Sequence, residues 1–365
     1  MLARLKFEIK PLVKEILNQV DPGVFESSET TFLDPAMGGG QFIFETIRRL
    51  KEQGHSYNSI KSRVFGYESN ILYVNYVKER YFREFGEEIP ASLLVGGLKE
   101  LESLKMRFDL VMSNPPYNSS KGNGSHPLYR KFINTAIRLT NKNGLVLMIS
   151  PPGFLNTSDA MVPSETFDLL KGGNLTKLRL NGVNNFFPGI GSPICYIVWE
   201  NTPYQGKTII DDAEYDISEM TFITRIFNEL VHSIVNKVLQ KDTIHFQYRK
   251  DSDKNSFRVC FKELNHISNR VGNLVPTIVI PGEESNGDFV RHCSNEKEAE
   301  SLKKYLSSRI ISFFNFITRY NSVFHNRMIG RIKFVDLTRT WTDSELYEHF
   351  GLTEEEVAYI EEQVK

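Results

Sequence analysis

The chain has 365 residues, of which 40% are hydrophobic and 24% charged, with a net charge of −1. That length exceeds one ordinary core and suits two domains, the composition is that of a water-soluble globular protein, and no apolar run approaches the ~20 residues that span a bilayer. The opening MLARLKFEIKPLVKEIL is amphipathic rather than a cleavable signal, which points to the cytoplasm, and Cys195, Cys260 and Cys293 lie too far apart for a disulfide framework or a zinc site, so they read as buried thiols.

From residue 30 to 200, strand-like runs alternate with amphipathic helical stretches, the rhythm of an α/β sheet with helices on both faces. TTFLDPA predicts a strand and turn, GGQFIFETIRRLKEQG a helix stopped at Gly54, and SRVFGYES a second strand. ILYVNYVKERYFREFG follows as a helix, then ASLLVGG and FDLVMSNPPY as strands, HPLYRKFINTAIRLTNKNG as a helix with a glycine stop, and LVLMISPP as a strand. LTKLRLNGV and PICYIVWEN predict two more strands. After about residue 220 the rhythm breaks. TIHFQYR, SFRVCFKEL and VPTIVIPG are short mixed segments around a polar loop, EESNGDFVRH, followed by one helical stretch, NEKEAESLKKYLSSRIISFFNFI. Thr342 with Glu345, and Thr353 with Glu356, make capping boxes that announce two short terminal helices. The expected domains are residues 1–220 and 221–365, the second a smaller α+β unit.

Charge is spread unevenly. Residues 221–340 hold 19 Lys+Arg against 12 Asp+Glu, whereas residues 341–365 hold one Lys against eight acids. An acidic tail packed away from the working face would leave a basic surface suited to a phosphate backbone.

Two motifs carry chemistry. The first strand ends in Asp34-Pro35-Ala36-Met37-Gly38-Gly39-Gly40-Gln41-Phe42 and runs into a helix, so its glycines allow a tight turn and close approach of a ligand; it lacks the Lys of a triphosphate cradle. Glu68 ends the second strand, where an acid can grip ribose hydroxyls or simply be solvated. The second motif, Asn114-Pro115-Pro116-Tyr117, stops a buried apolar run with two fixed φ angles, leaving Asn114 extended and Tyr117 projecting from a stiff turn.

DPAMGGGQF, an acid at the tip of strand two and NPPY about 80 residues after the glycines together resemble the S-adenosylmethionine-dependent DNA adenine-N6 methyltransferases of bacterial restriction-modification type, those with the cofactor motif first and a C-terminal target-recognition domain. PLYRKFINTAIRL, LVLMISPPGFL and NNFFPGIGSPICYIVWE are similar to later segments of that family, and the likeness covers residues 5 to 200. It implies a Rossmann-like methyltransferase sheet over 1–220 and a target-recognition domain over 221–365. It also implies S-adenosylmethionine held by Asp34, Ala36, Gly38, Gly40, Phe42, Glu68 and Asn114, catalysis at Asn114, Pro115, Pro116 and Tyr117, and a base pocket lined by Tyr117 and Phe187. No metal is implied. The resemblance further implies double-stranded DNA as the partner, with a separately encoded restriction endonuclease as the cognate enzyme. Where the family often has Gly-Asp after strand three, this chain has Val95-Gly96-Gly97, so backbone groups are expected to replace that acid.

An adenine N6 is a poor nucleophile because its lone pair is conjugated into the ring. The site must offer acceptors to the amino protons, and the Asn114 side-chain oxygen and Pro115 carbonyl fit that need. The base must leave the duplex, and the Tyr117 ring offers a face to stack on, so a phenylalanine there is expected to suffice. The polar loop NSSKGNGSH is a lid or an inert surface loop. A protein-glutamine methyltransferase, a ribosomal-RNA base methyltransferase and an inactive DNA-binding module are the alternatives; the first carries a helical domain ahead of the catalytic one, where this chain has 34 residues up to the end of the first strand.

Overall fold

A computed structural model describes residues 9–90, 92–118, 127–155, 164–190, 192–240, 247–248, 254–262, 274–318, 330–333 and 335–364. The chain divides into two compact units, Met1–Phe154 with Glu165–Glu219, and Leu155–Ser164 with Met220–Lys365.

The first unit is built on a nine-stranded sheet. Its strands are β1 (Phe32–Asp34), β2 (Val64–Glu68), β3 (Leu93–Val95), β4 (Phe108–Ser113), β5 (Thr140–Ser150), β6 (Asn174–Arg179), β7 (Cys195–Glu200), β8 (Thr208–Ile210) and β9 (Ala213–Tyr215), in the order β3-β2-β1-β4-β5-β7-β6-β8-β9. β1 to β5 run parallel, and β7 lies antiparallel between β5 and β6. This is the expected Rossmann-like α/β sheet. The chain builds outward from β1 to β3, then returns to lay β4 against the other side of β1, so the two strands flank a topological switch point.

Apolar periodicity explains the helices. In Gln41–Glu52, Phe42, Ile43, Phe44, Ile47 and Leu50 are buried against the sheet, each such side chain contributing roughly 1.5–3 kcal/mol. Asn70 starts the helix Ile71–Phe85 by accepting the Leu72 N–H at 3.0 Å, and Gly86, at φ +71°, ends it.

One expected helix is shorter than its pattern. Leu128–Leu139 is helical, but TNKNG belongs to β5, where Thr140 pairs with Phe108 and the register shifts before Leu145 pairs with Leu110. Gly144 is therefore inside a strand, where a Cβ would lie 2.9 Å from the Asp109 carbonyl oxygen, rather than at a helix stop.

The second unit packs helices on a four-stranded antiparallel sheet of β10 (Gln247–Tyr248), β11 (Phe257–Phe261), β12 (Thr277–Val279) and β13 (Phe289–Cys293), ordered β10-β13-β11-β12. The segment read as a polar loop runs into β13, because Phe289 and Val290 pair with the buried Phe261 and Cys260 of β11. The single helical stretch is two helices, Glu296–Leu306 and Arg309–Ile317, broken at Ser307-Ser308. Both terminal capping boxes form. Most of TIHFQYR and of the NSSKGNGSH loop lies outside the described residues.

The acidic tail does not stand apart. Glu356 holds Lys237 at 2.7 Å, Glu345 holds Arg339 at 2.7 Å, and Glu361 pairs with Arg309. Arg258 is fully buried and donates to the carbonyls of Ile280 and Glu283. The excess of cations in residues 221–340 thus overstates the basic surface. Among the described residues no helix is long and apolar enough to cross a membrane.

Candidate active site

Both motifs arrive at the C-terminal edge of the sheet because β1 and β4 are neighbours, Leu33 pairing with Val111. A cleft of about 480 Å³ opens there, a size usual for small-ligand sites. Asp34, Ala36, Gly38, Phe42 and Glu68 line it together with Asn114, Pro115, Pro116, Tyr117 and Phe187.

Gly40 is the exception among the predicted residues. It precedes the helix Gln41–Glu52 at φ +78°, and a Cβ there would meet the Phe44 ring at 2.6 Å. Its work is to admit the turn and the packing of Phe44, and it is not in the cleft wall.

The glycine turn is held from several directions. Glu68 Oε2 accepts the Gly38 N–H at 2.9 Å while Oε1 accepts the Asn70 N–H at 2.7 Å. The Met37 N–H donates to the Tyr67 carbonyl at 2.9 Å, and Arg80 donates to the Gly39 carbonyl at 3.1 Å while stacking on Phe44 at 3.8 Å. Glu68 thus keeps lone pairs facing the cleft on a carboxylate whose position is already fixed.

Asp34 is 1% exposed. Its Oδ1 accepts the Ser113 hydroxyl at 2.8 Å and the Ala36 N–H at 3.0 Å, while Oδ2 takes no hydrogen bond from the described residues. Burial above all, helped by the Glu68 carboxylate, pushes the carboxyl from 3.8 up to about 7 against the two hydrogen bonds.

At the other turn, the Tyr117 hydroxyl donates to Asn114 Oδ1 at 3.1 Å. Burial raises the phenol above its ordinary range, so it stays protonated and a donor. Tyr117 is also partly buried against the core of the first unit. The expectation that only its ring matters is therefore incomplete: the hydroxyl touches the acceptor on which the chemistry was placed.

At the Gly96-Gly97 wall the backbone groups expected to replace the missing acid are partly engaged. The Gly97 N–H donates to Glu100 Oε2 at 2.7 Å and its carbonyl accepts the Leu101 N–H at 3.1 Å, while the Gly96 N–H donates to the Glu68 carbonyl. Both amides are occupied inside the protein, so only carbonyl oxygens remain to replace the missing acid. Sequence reading missed Tyr67, Ser69, Asn70 and Tyr73, which also line the cleft. The run Glu-Ser-Asn between a strand and an apolar helix was a legible cap signal for Asn70; the tyrosines carried none.

Sheet, switch-point cleft and paired strand-end motifs define a Rossmann-like α/β protein with a small-ligand site. Over residues 44–187 the chain matches the model of the Eco57I restriction-modification methylase family. A Mycoplasma pneumoniae protein described as an uncharacterized adenine-specific methylase is 28% identical over 153 residues, which are 38% of this chain and 36% of that protein. Among solved structures, the EcoKI M protein of a type I restriction enzyme is 17% identical, with a TM-score of 0.43 over 59% of this chain and 46% of that one. The type ISP restriction-modification enzyme LlaBIII bound to DNA is 15% identical, with a TM-score of 0.40 over 53% of this chain and 18% of that one. The chain spans about a third of the curated relative's length and less than half of these structures.

Proposed function

We propose that the protein transfers a methyl group from S-adenosylmethionine to the N6 amino group of an adenine flipped out of double-stranded DNA. The observation that carries this reading is that the glycine turn with its two acids and the Asn-Pro-Pro-Tyr turn share one cleft wall at the β1/β4 switch point. Residues 44–187, which include Glu68, Asn114–Tyr117 and Phe187, are also those similar to restriction-modification methylases.

The cleft fits the cofactor on its own terms. Gly38, at φ +51°, lets the turn come close to a ligand, Glu68 can accept two ribose hydroxyls, and Asp34 presents an unengaged carboxylate oxygen to a cationic ligand. S-adenosylmethionine supplies an electrophilic methyl on a sulfonium centre. The chain's own residues deal with the amine. Asn114 Oδ1 and the Pro115 carbonyl would accept hydrogen bonds from the two N6–H groups and so favour a tetrahedral nitrogen with a localised lone pair, the amine giving up one proton to solvent as it gains the methyl. Tyr117 steadies Asn114 through its hydroxyl and offers its ring to the base, and Phe187 closes the pocket. The second unit, residues 221–340 in particular, is assigned to DNA target recognition, and a separately encoded restriction endonuclease is its proposed cognate enzyme.

Incubation with methyl-tritiated cofactor and, separately, duplex DNA, structured RNA and a release-factor-type protein tests the assignment. Label should enter DNA. Label in RNA or protein alone would replace the reading with one of its rivals.

A further inference from the structure

Ser113 is the last residue of β4 and is fully buried. Its hydroxyl donates to Asp34 Oδ1 across 79 residues of sequence, at 2.8 Å. The bond spans the end of β1, where the glycine turn begins, and the end of β4, where Asn114 begins. It leaves an asymmetric carboxylate. Oδ1 is held twice, by Ser113 and Ala36, and Oδ2 is left for whatever enters the cleft. A buried carboxylate with one unpartnered oxygen in a ligand wall is costly unless a ligand donor or cation meets it.

We propose that Ser113 is a positioning residue of the transfer site: its hydroxyl fixes Oδ1 so that Asp34 turns Oδ2 toward the cofactor, and in doing so it sets the cofactor turn against Asn114. The inference rests on the cleft being the S-adenosylmethionine site. A hydroxyl that merely filled space would not influence the charge on Asp34. A donor to Oδ1 must, because it stabilises the ionised form against desolvation and against Glu68, the charged group that acts on Asp34.

The test is a pair of measurements on the full chain. In the first, without ligand, the stability cost of Ser113→Ala is followed by urea unfolding from pH 5 to 9, in the natural and in the Asp34→Asn backgrounds. The cost should grow as pH rises through the ionisation of Asp34 and should be flat with pH in the Asp34→Asn background. In the second, calorimetry should find S-adenosylmethionine bound roughly ten- to a hundredfold more weakly by Ser113→Ala near neutral pH, the range for losing a hydrogen bond to a charged group. The gap should narrow at higher pH, and Ser113→Thr, which keeps the hydroxyl, should recover most of the affinity. If alanine leaves too little folded protein, Ser113→Cys, a weaker donor, carries the same comparison. A cost that is independent of pH and identical in both backgrounds would overturn the inference while leaving the functional reading intact. Failure of the natural chain to bind S-adenosylmethionine would overturn the functional reading and with it the cofactor-positioning role, and the ligand-free comparison would still decide whether Ser113 governs Asp34.

Discussion

Replacing Tyr117 by phenylalanine removes one oxygen atom and with it the 3.1 Å hydrogen bond to Asn114 Oδ1. A partly buried neutral hydrogen bond contributes about 0.5–1.5 kcal/mol net. If the hydroxyl holds the amide in the orientation that receives the N6 protons, Tyr117→Phe should lower kcat/KM for methyl transfer by roughly two- to tenfold, and the loss should appear in kcat. Tyr117→Ala removes the ring as well. Base–aromatic stacking adds about 1–3 kcal/mol, so the alanine variant should fall a further fivefold to over a hundredfold. The two losses should separate by substrate. A target adenine opposite a mismatch costs less to extrude, so it should rescue part of the alanine deficit and leave the phenylalanine deficit unchanged. The assay is methyl incorporation into matched and mismatched duplexes, with melting temperatures measured alongside. Full activity in Tyr117→Phe would refute the orienting role of the hydroxyl. Equal loss by Tyr117→Ala on both duplexes, together with a lowered melting point, would refute stacking and leave the residue as a core plug that supports Asn114.

Asn114→Ala should lower methyl transfer roughly 100- to 1,000-fold, as loss of one charge-stabilising group does, and weaken S-adenosylhomocysteine binding far less than that; calorimetry and single-turnover rates together would show whether the two effects part. Asp34 has its carboxyl raised from 3.8 to about 7, so folding favours the protonated form, and that contribution is full below 3.8 and lost as pH rises through about 7. Asp34→Asn should therefore gain stability over the natural chain progressively across that window, by at most about 4 kcal/mol, and a pH-independent difference in urea midpoints would contradict the assignment. Gly40→Ala should cost roughly 1–3 kcal/mol of stability, from the left-handed backbone and the contact with Phe44, while the protein that remains folded binds S-adenosylhomocysteine normally. DNA affinity should fall with salt, but with a log–log slope well short of that expected from the excess of cations in residues 221–340, because Lys237, Arg309 and Arg339 are paired with tail acids and Arg258 is buried.

The sequence could be read wherever a local pattern and the tertiary structure agree. Alternating apolar strands and amphipathic helices announced the sheet, and the Gly-rich and Pro-Pro turns marked the strand ends that line the cleft, because backbone constraints at glycine and proline act within a few residues. Reading failed where partners distant in sequence decided the outcome. Thr140 to Gly144 look like the end of a helix until Phe108 and Leu110 recruit them into β5. Phe289 to His292 look like part of a polar loop until β11 pairs with them. Ser113 looked like the unremarkable residue before a motif, since nothing near it in sequence reveals Asp34. The cation excess of residues 221–340 overstated the basic surface for the same reason, as composition counts Arg258 and Lys237 but not the carbonyls and carboxylates that absorb them.

The identity of the methylated atom decides between the proposed function and its rivals. Duplex DNA incubated with the protein and S-adenosylmethionine, digested to nucleosides and analysed by mass spectrometry, should contain N6-methyldeoxyadenosine, and the same reaction with Asn114→Ala should contain at least a hundredfold less. Methylation confined to cytosine, label found only in RNA or protein, or an Asn114→Ala reaction as productive as the natural one would contradict the account.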